Sequence, residues 1–305
     1  MSKKYRIYQV DSFTKELFKG NPAGVVANAD GLTDEQMQSI ARELNNSETA
    51  FILKPPENNC EVWIRFFTPT IEVPICGHAT IAAHYIRSLE NNYDSKTVIQ
   101  KTGAGILPVE IRKEKNDYKI IMTQGKIEFE EPINKEIRKS INQALHIDEN
   151  DIDEKCPAQI VSTGHSKLLI GIKSQKALDS LKPNMDALVT ISKEIKCNGY
   201  FVFTFNTNEE SILTKGRMFA PAIGINEDPV TGNANGPLGA YLVYHKLVDT
   251  SKNRFSFKGK QGEVINRNGI VEVEVEIENE LPQKVKVGGN AKIVFKTEME
   301  LQNAT

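Results

Sequence analysis

Two short segments carry residue types from which a reaction site can be built without a cofactor. Gly77-His78 and Gly232-Asn233 each place a glycine and a polar side chain at the start of an apolar, helix-like run. Main-chain N–H groups in the first turn of a helix lack intrahelical acceptors and lie at the positive end of the peptide dipoles, so such a start attracts an anion. If two starts face one another, their donors would hold a substrate carboxylate or stabilise a developing enolate without a metal. Taken singly, either glycine has the plainer role of permitting a tight strand-to-helix turn. A matched pair favours a site.

The match extends beyond the dipeptides. Arg65, Phe67, Pro69, Pro74, Gly77 and Ala79 are echoed by Arg217, Phe219, Pro221, Pro229, Gly232 and Ala234. Both read R-x-F-x-P, a gap of four or seven residues, then P-x-x-G-x-A. An internal repeat of this kind points to duplication. The runs that follow, His78 to Leu89 and Asn233 to Tyr244, are apolar or small around most of a helical circumference, which predicts buried helices. Pro237 is expected in a first turn, where a missing N–H costs little.

The elements that must position these helices are mostly strands. Period-two alternation runs over Tyr5 to Val10, Glu61 to Phe67, Leu107 to Arg112, Tyr118 to Met122 and Val271 to Glu278. Helical patterns cover Thr33 to Leu44, Asn134 to Leu145 and Ser174 to Leu181. The class is therefore α+β, with antiparallel sheet dominant. At 305 residues the chain is long enough for two cores.

Composition narrows the function classes. With 38 basic against 40 acidic side chains, the chain lacks the basic footprint that nucleic acid requires. The start, MSKKYRIYQVDSF, has no apolar signal segment, and no apolar run approaches the ~20 residues of a membrane span, so a cytoplasmic protein is expected. Cys60, Cys76, Cys156 and Cys197 have no C-x-x-C spacing and no neighbouring histidine group, so neither a metal site nor a disulfide framework is expected. No G-x-G-x-x-G or P-loop signature follows a strand, which disfavours nicotinamide and ATP. No cofactor is anticipated.

Four motifs together resemble one family. Phe18 to Val25 (F-x-G-N-P-A-G-V), Asn46 to Phe51 (N-S-E-T-A-F), Cys76 to Thr80 (C-G-H-A-T) and Glu227 to Ala234 (E-D-P-V-T-G-N-A) are similar, in order and spacing, to the phenazine-biosynthesis isomerases, the PhzF-like family. Gln261-Gly262 and Val287 to Gly289 extend the likeness to nearly the whole chain. The resemblance implies the fold of diaminopimelate epimerase: two similar domains, each a curved, mainly antiparallel β-barrel around a central helix, meeting at the active site. On that basis residues 1–125, completed by 290–305, form one domain and 126–289 the other. A homodimer and a small carboxylate substrate are implied as well.

The resemblance also implies roles. Glu48 becomes the acid/base that moves a proton between carbons of an unsaturated substrate. Such a carboxyl suits the task when partial burial brings its pKa towards ~6–7, and Ala50, Phe51 and Ile52 would supply an apolar wall. His78 and Asp228 would orient the substrate or relay protons; Gly77, Gly232 and Asn233 would offer further contacts, and Asn21 would lie at the cleft. Without the family, Glu48 reads as a capping or surface carboxylate, His78 as a cap and Asp228 as a turn residue. In the epimerase relatives two opposed cysteines act as bases. Here Cys76 has no second thiol, because the matching stretch reads Val230-Thr231-Gly232-Asn233, and Asn233 replaces a serine common in the family. Two other readings stand beside the isomerase: an amino-acid or hydroxy-acid racemase or epimerase, and a metabolite-binding protein without turnover.

Overall fold

The computed structural model describes residues 2–302, which form two compact units: 2–122 with 288–302, and 123–287. The fold is mixed α/β, with far more strand than helix.

In the first unit, strand Ser2–Ser12 lies antiparallel to both Ala291–Gln302 and Asn21–Val26. Asn21–Val26 runs parallel to Thr49–Leu53, which is antiparallel to Val62–Phe67. Val62–Phe67 is parallel to Lys96–Thr102, and the antiparallel strands Gly105–Glu114 and Asp117–Thr123 follow. The second unit repeats this alternation of directions. Gln159–Ser162 and Ser166–Gly171 are antiparallel, Ser166–Gly171 and Tyr200–Thr204 parallel, and Tyr200–Thr204 and Thr214–Ala220 antiparallel. Arg254–Gln261 then runs parallel to Thr214–Ala220 and antiparallel to Gly269–Glu278. In each unit a short strand, Glu72–Val73 or Ile225–Asp228, folds back on the arginine-bearing strand.

The two glycine-led helices are buried as their texture predicts. Helix Gly77–Asn91 is buried without a break from Ala79 to Ile86 and packs on strands Ser2–Ser12, Asn21–Val26 and Thr49–Leu53. Helix Gly232–Tyr244 is buried from Ala234 to Val243 and packs on Gln159–Ser162, Ser166–Gly171, Arg254–Gln261 and Gly269–Glu278. By contrast, helix Asp34–Leu44 buries only Met37, Ile40 and Ala41, one stripe at helical spacing.

Helix Gly232–Tyr244 starts at the glycine, but Pro237 is its sixth residue rather than part of the first turn. Its ring nitrogen cannot donate to the Asn233 carbonyl one turn back. Packing outweighs this defect. Leu238, Leu242 and Val243 are fully buried, each contributing roughly 1.5–3 kcal/mol, against about 3 kcal/mol for the proline and about 1 kcal/mol per glycine. Gly239 serves that packing, since a Cβ there would approach Val273 Cγ1 to 2.7 Å.

Outer helices cover the second unit. Ile141, Leu145, Leu178, Leu188 and Ile191 join Ile160, Leu168, Ile170 and Val202 in one core cluster. Helix Met185–Ile195, capped by Asn184, is additional to the stretches the periodicity picked out.

Candidate active site

Both central helices begin differently from the others. Helices after Thr33, Asn134, Ser174 and Asn184 are capped by those side chains, each accepting a first-turn N–H. Those after Cys76 and Thr231 have no side-chain cap. A cap contributes about 1 kcal/mol. Both buried helices forgo it, and in the second Ala234 N donates instead to the Thr231 carbonyl at 3.2 Å.

In the first unit the uncapped start gathers three reactive groups. Glu48 immediately precedes strand Thr49–Leu53, while Cys76 and His78 flank the helix's first residue, Gly77. His78 Nε2 lies 3.3 Å from Glu48 Oε2 and 3.3 Å from Ser47 Oγ. Its Nδ1 lies 3.4 Å from Cys76 Sγ. The imidazole thus lies between thiol and carboxylate, with Ser47 as a further neighbour of its Nε2. Exposure of the His78 and Glu48 side chains is only 10% and 18%, while Ala50 and Phe51 behind them are fully buried. Ser12 Oγ donates to the His78 carbonyl at 2.7 Å and pairs across the sheet with Asn21, which brings Asn21 to the same corner.

Cysteine spacing alone did not bring these three groups together. One donor atom each from Glu48, Cys76 and His78 lies within 4.8 Å of the others. Zinc bonded at ~2.0–2.3 Å to such ligands needs tetrahedral edges of ~3.3–3.6 Å. The observed His–Glu edge is 3.3 Å, whereas Cys76 Sγ stands 4.0 Å from His78 Nε2, wider than such an edge. Residues 48 and 76–78 are too far apart in sequence for any spacing rule to have linked them.

In the second unit, Asp228 ends strand Ile225–Asp228, and Thr231 Oγ1 donates to its Oδ2. Gln261 ties this corner together: its Nε2 donates to the Asp228 carbonyl at 2.8 Å and to Thr231 Oγ1 at 3.0 Å, and its Oε1 accepts from Thr231 N at 3.1 Å. Gly232 and Asn233 follow as the first helical residues. Asn233 Oδ1 accepts from Gln124 Nε2 at 3.4 Å, and Thr163 Oγ1 fixes that amide by donating to Gln124 Oε1 at 2.8 Å. Sequence reasoning had quoted Gln261, Ser47 and Thr231 only as parts of motifs and had missed Gln124.

The arginines of the repeat hold both corners. Arg65 forks onto Glu72 at 2.8 and 2.7 Å, and Arg217 onto Glu227 at 2.9 and 2.8 Å. Each guanidinium also lies over the next aromatic of its motif, Phe67 at 5.1 Å or Phe219 at 5.0 Å. Glu72 and Glu227 both stand two residues before the motif's second proline, so the repeat truly reads R-x-F-x-P, gap, E-x-P-x-x-G-x-A.

Comparison with known proteins agrees with this architecture. The family model described as phenazine biosynthesis-like protein matches residues 10–297. An uncharacterized isomerase from Clostridium acetobutylicum is 62% identical over 99% of this chain and 100% of its own length. The Escherichia coli K12 isomerase YddE is 48% identical over 98% and 99%. Among solved structures, a PhzF-family phenazine biosynthesis protein from Bacillus anthracis superposes with a TM-score of 0.87 at 30% identity, covering 97% of this chain and 99% of that one. A hydroxyproline epimerase from Agrobacterium vitis shares the fold at a TM-score of 0.61 and 11% identity, covering 98% and 93%. The chain is an isomerase and belongs to the phenazine biosynthesis-like, or PhzF, family.

Proposed function

We propose that this isomerase shifts a proton within a small unsaturated carboxylate, without a cofactor, and that Glu48 is the acid/base that carries it. The observation that supports this most is the contact of His78 with both Glu48 and Cys76 beside an uncapped helix start. In this reading Glu48 removes a proton from an acidic C–H, the helix donors stabilise the enolate, and Glu48 returns the proton to another carbon. His78 orients Glu48 and the substrate. Asp228, Asn21, Asn233 and the main chain at Gly77 and Gly232 orient the carboxylate and the conjugated system. The reading takes each unit as a curved sheet wrapped as a barrel around its central helix, and the protein as a cytoplasmic homodimer, a state that light scattering checks.

The test is hydrogen exchange. Small unsaturated carboxylates are incubated with enzyme in deuterated water and followed by NMR. Wild type is expected to wash deuterium into a substrate carbon, and Glu48→Gln to lose that exchange; undiminished exchange in the variant removes Glu48 from the mechanism.

Epimerisation of an amino or hydroxy acid is the second reading, favoured by the Cys76 thiol against His78. It requires a second base, and the position matching Cys76 is Thr231. Loss of activity on alkylating Cys76, prevented by added ligand, would support it over a carboxylate-only shuttle.

A further inference from the structure

Three residues of the first unit bring a sulfur, a nitrogen and an oxygen donor to one corner. Each is held there by its main chain. The Glu48 carbonyl accepts from Gly24 N at 3.2 Å, the Cys76 carbonyl from Thr80 N at 3.0 Å and Thr80 Oγ1 at 2.7 Å, and the His78 carbonyl from Ser12 Oγ at 2.7 Å. Thr80 and Ser12 are fully buried. With the backbone pinned at all three positions, only side-chain torsions decide how near the donor atoms come, and the fold has already placed them within 4.8 Å of one another. Among the described residues no other three His, Cys, Asp or Glu side chains meet so closely.

The donor types select the ion. Thiolate, imidazole and carboxylate are the side-chain ligands of zinc, whereas magnesium and calcium prefer oxygen throughout and would find one carboxylate here. Charge balances as well. The uncapped start of helix Gly77–Asn91 favours an anion at Cys76 and would repel a bare cation, but zinc held by a thiolate and a carboxylate is neutral overall.

Geometry asks for one adjustment. The 3.3 Å between His78 Nε2 and Glu48 Oε2 is already that of two ligands on one zinc ion, while Cys76 Sγ, 4.0 Å from Nε2, must approach by about half an ångström. A single torsion carries the cysteine sulfur, so a shift of this size stays within a rotamer well and leaves the main-chain bonds of Cys76 intact. Three protein ligands leave the fourth tetrahedral position to water, beside the exposed Ser47.

We infer that Glu48, Cys76 and His78 form a zinc-binding site, and that zinc bound there inhibits the enzyme reversibly. Binding replaces the thiol proton, which leaves to solvent, by a zinc–sulfur bond, and the metal takes up the Glu48 oxygen that would otherwise accept a substrate proton. The inhibitory meaning rests on the role given to Glu48 in the proposed function; the binding itself is tested without substrate.

The experiment titrates reduced, chelator-treated enzyme with zinc by calorimetry and with cobalt(II), a spectroscopic stand-in for zinc, by absorption. Wild type is expected to bind one equivalent of each, with cobalt giving the near-ultraviolet band of a metal–thiolate bond. Cys76→Ser is expected to lose that band. Cys76→Ser, His78→Gln and Glu48→Gln should each weaken zinc by roughly tenfold or more, while Cys156→Ser binds as wild type does. Should Cys76→Ser not fold, alkylation of wild type with and without zinc takes its place, read by peptide mass spectrometry, and zinc must slow the modification of Cys76. Failure to bind zinc stoichiometrically, a cobalt–thiolate band that survives in Cys76→Ser, or alkylation of Cys76 unchanged by zinc overturns the inference. Hydrogen exchange that persists in Glu48→Gln bears on the proposed function and leaves the site itself standing.

Discussion

The paired arginine clamps make a prediction in which the same bond has different worth. Arg217 and Glu227 expose 7% and 12% of their side chains, and Arg217 Nη1 also donates to the Leu178 and Leu181 carbonyls at 3.1 and 3.0 Å. Arg65 is 11% exposed, but its partners Glu72 and Asp34 are 42% and 72% exposed. Arg217→Met leaves a carboxylate and two carbonyls buried without their donor, a loss of about 3–5 kcal/mol. Arg65→Met releases carboxylates that water reaches, about 1 kcal/mol or less. For units of this size the corresponding drops in Tm are roughly 6–20 °C and 2–4 °C. Urea unfolding followed by circular dichroism reads both units together, and the single tryptophan, Trp63, reports the first by fluorescence, so the second is read by difference. A double change, Arg217→Met with Glu227→Leu, is expected to recover more than half of the Arg217→Met loss, because no charge is then stranded. Equal losses for the two single variants, or no recovery in the double, would refute the argument that burial sets the clamp's value.

Two further outcomes follow from buried or clustered groups. His84 is wholly buried against Gln100 at 2.9 Å, and burial, helped by the Arg87 charge, pushes it down to about 3 from 6.5. Between those values the unfolded chain binds the extra proton, so stability falls as pH drops from 6.5 towards 3, by up to ~1.4 kcal/mol per pH unit. Urea midpoints measured across that range should show the slope, and His84→Gln should flatten it; a slope that persists assigns the effect elsewhere. At the Glu48–Cys76–His78 corner, zinc is expected to displace the Cys76 proton and occupy Glu48, slowing hydrogen exchange, and Cys76→Ser should relieve the inhibition. Equal sensitivity of that variant would exclude the thiol as a ligand.

The sequence made some parts of this molecule legible because their cause is local. Burial of both central helices followed from unbroken apolar texture, and the caps Thr33 and Asn134 lie at the edges of strongly periodic runs. The arginine clamps were half visible: the repeat exposed Arg65 and Arg217, while Glu72 and Glu227 passed unnoticed because the gap before them changes length. The Glu48–His78–Cys76 contact needed the family resemblance, since it depends on a strand and a helix meeting across nearly thirty residues.

The pairing of Ser2–Ser12 with Ala291–Gln302 bears on how the chain is made. Synthesis proceeds from the amino end, so the first unit waits for its closing strand until residues 291–302 have been made, whereas the second has all its residues by position 287. Closing so long a loop is slow. The second unit therefore has every strand it needs before the first acquires the partner of Ser2–Ser12, and can mature ahead of it.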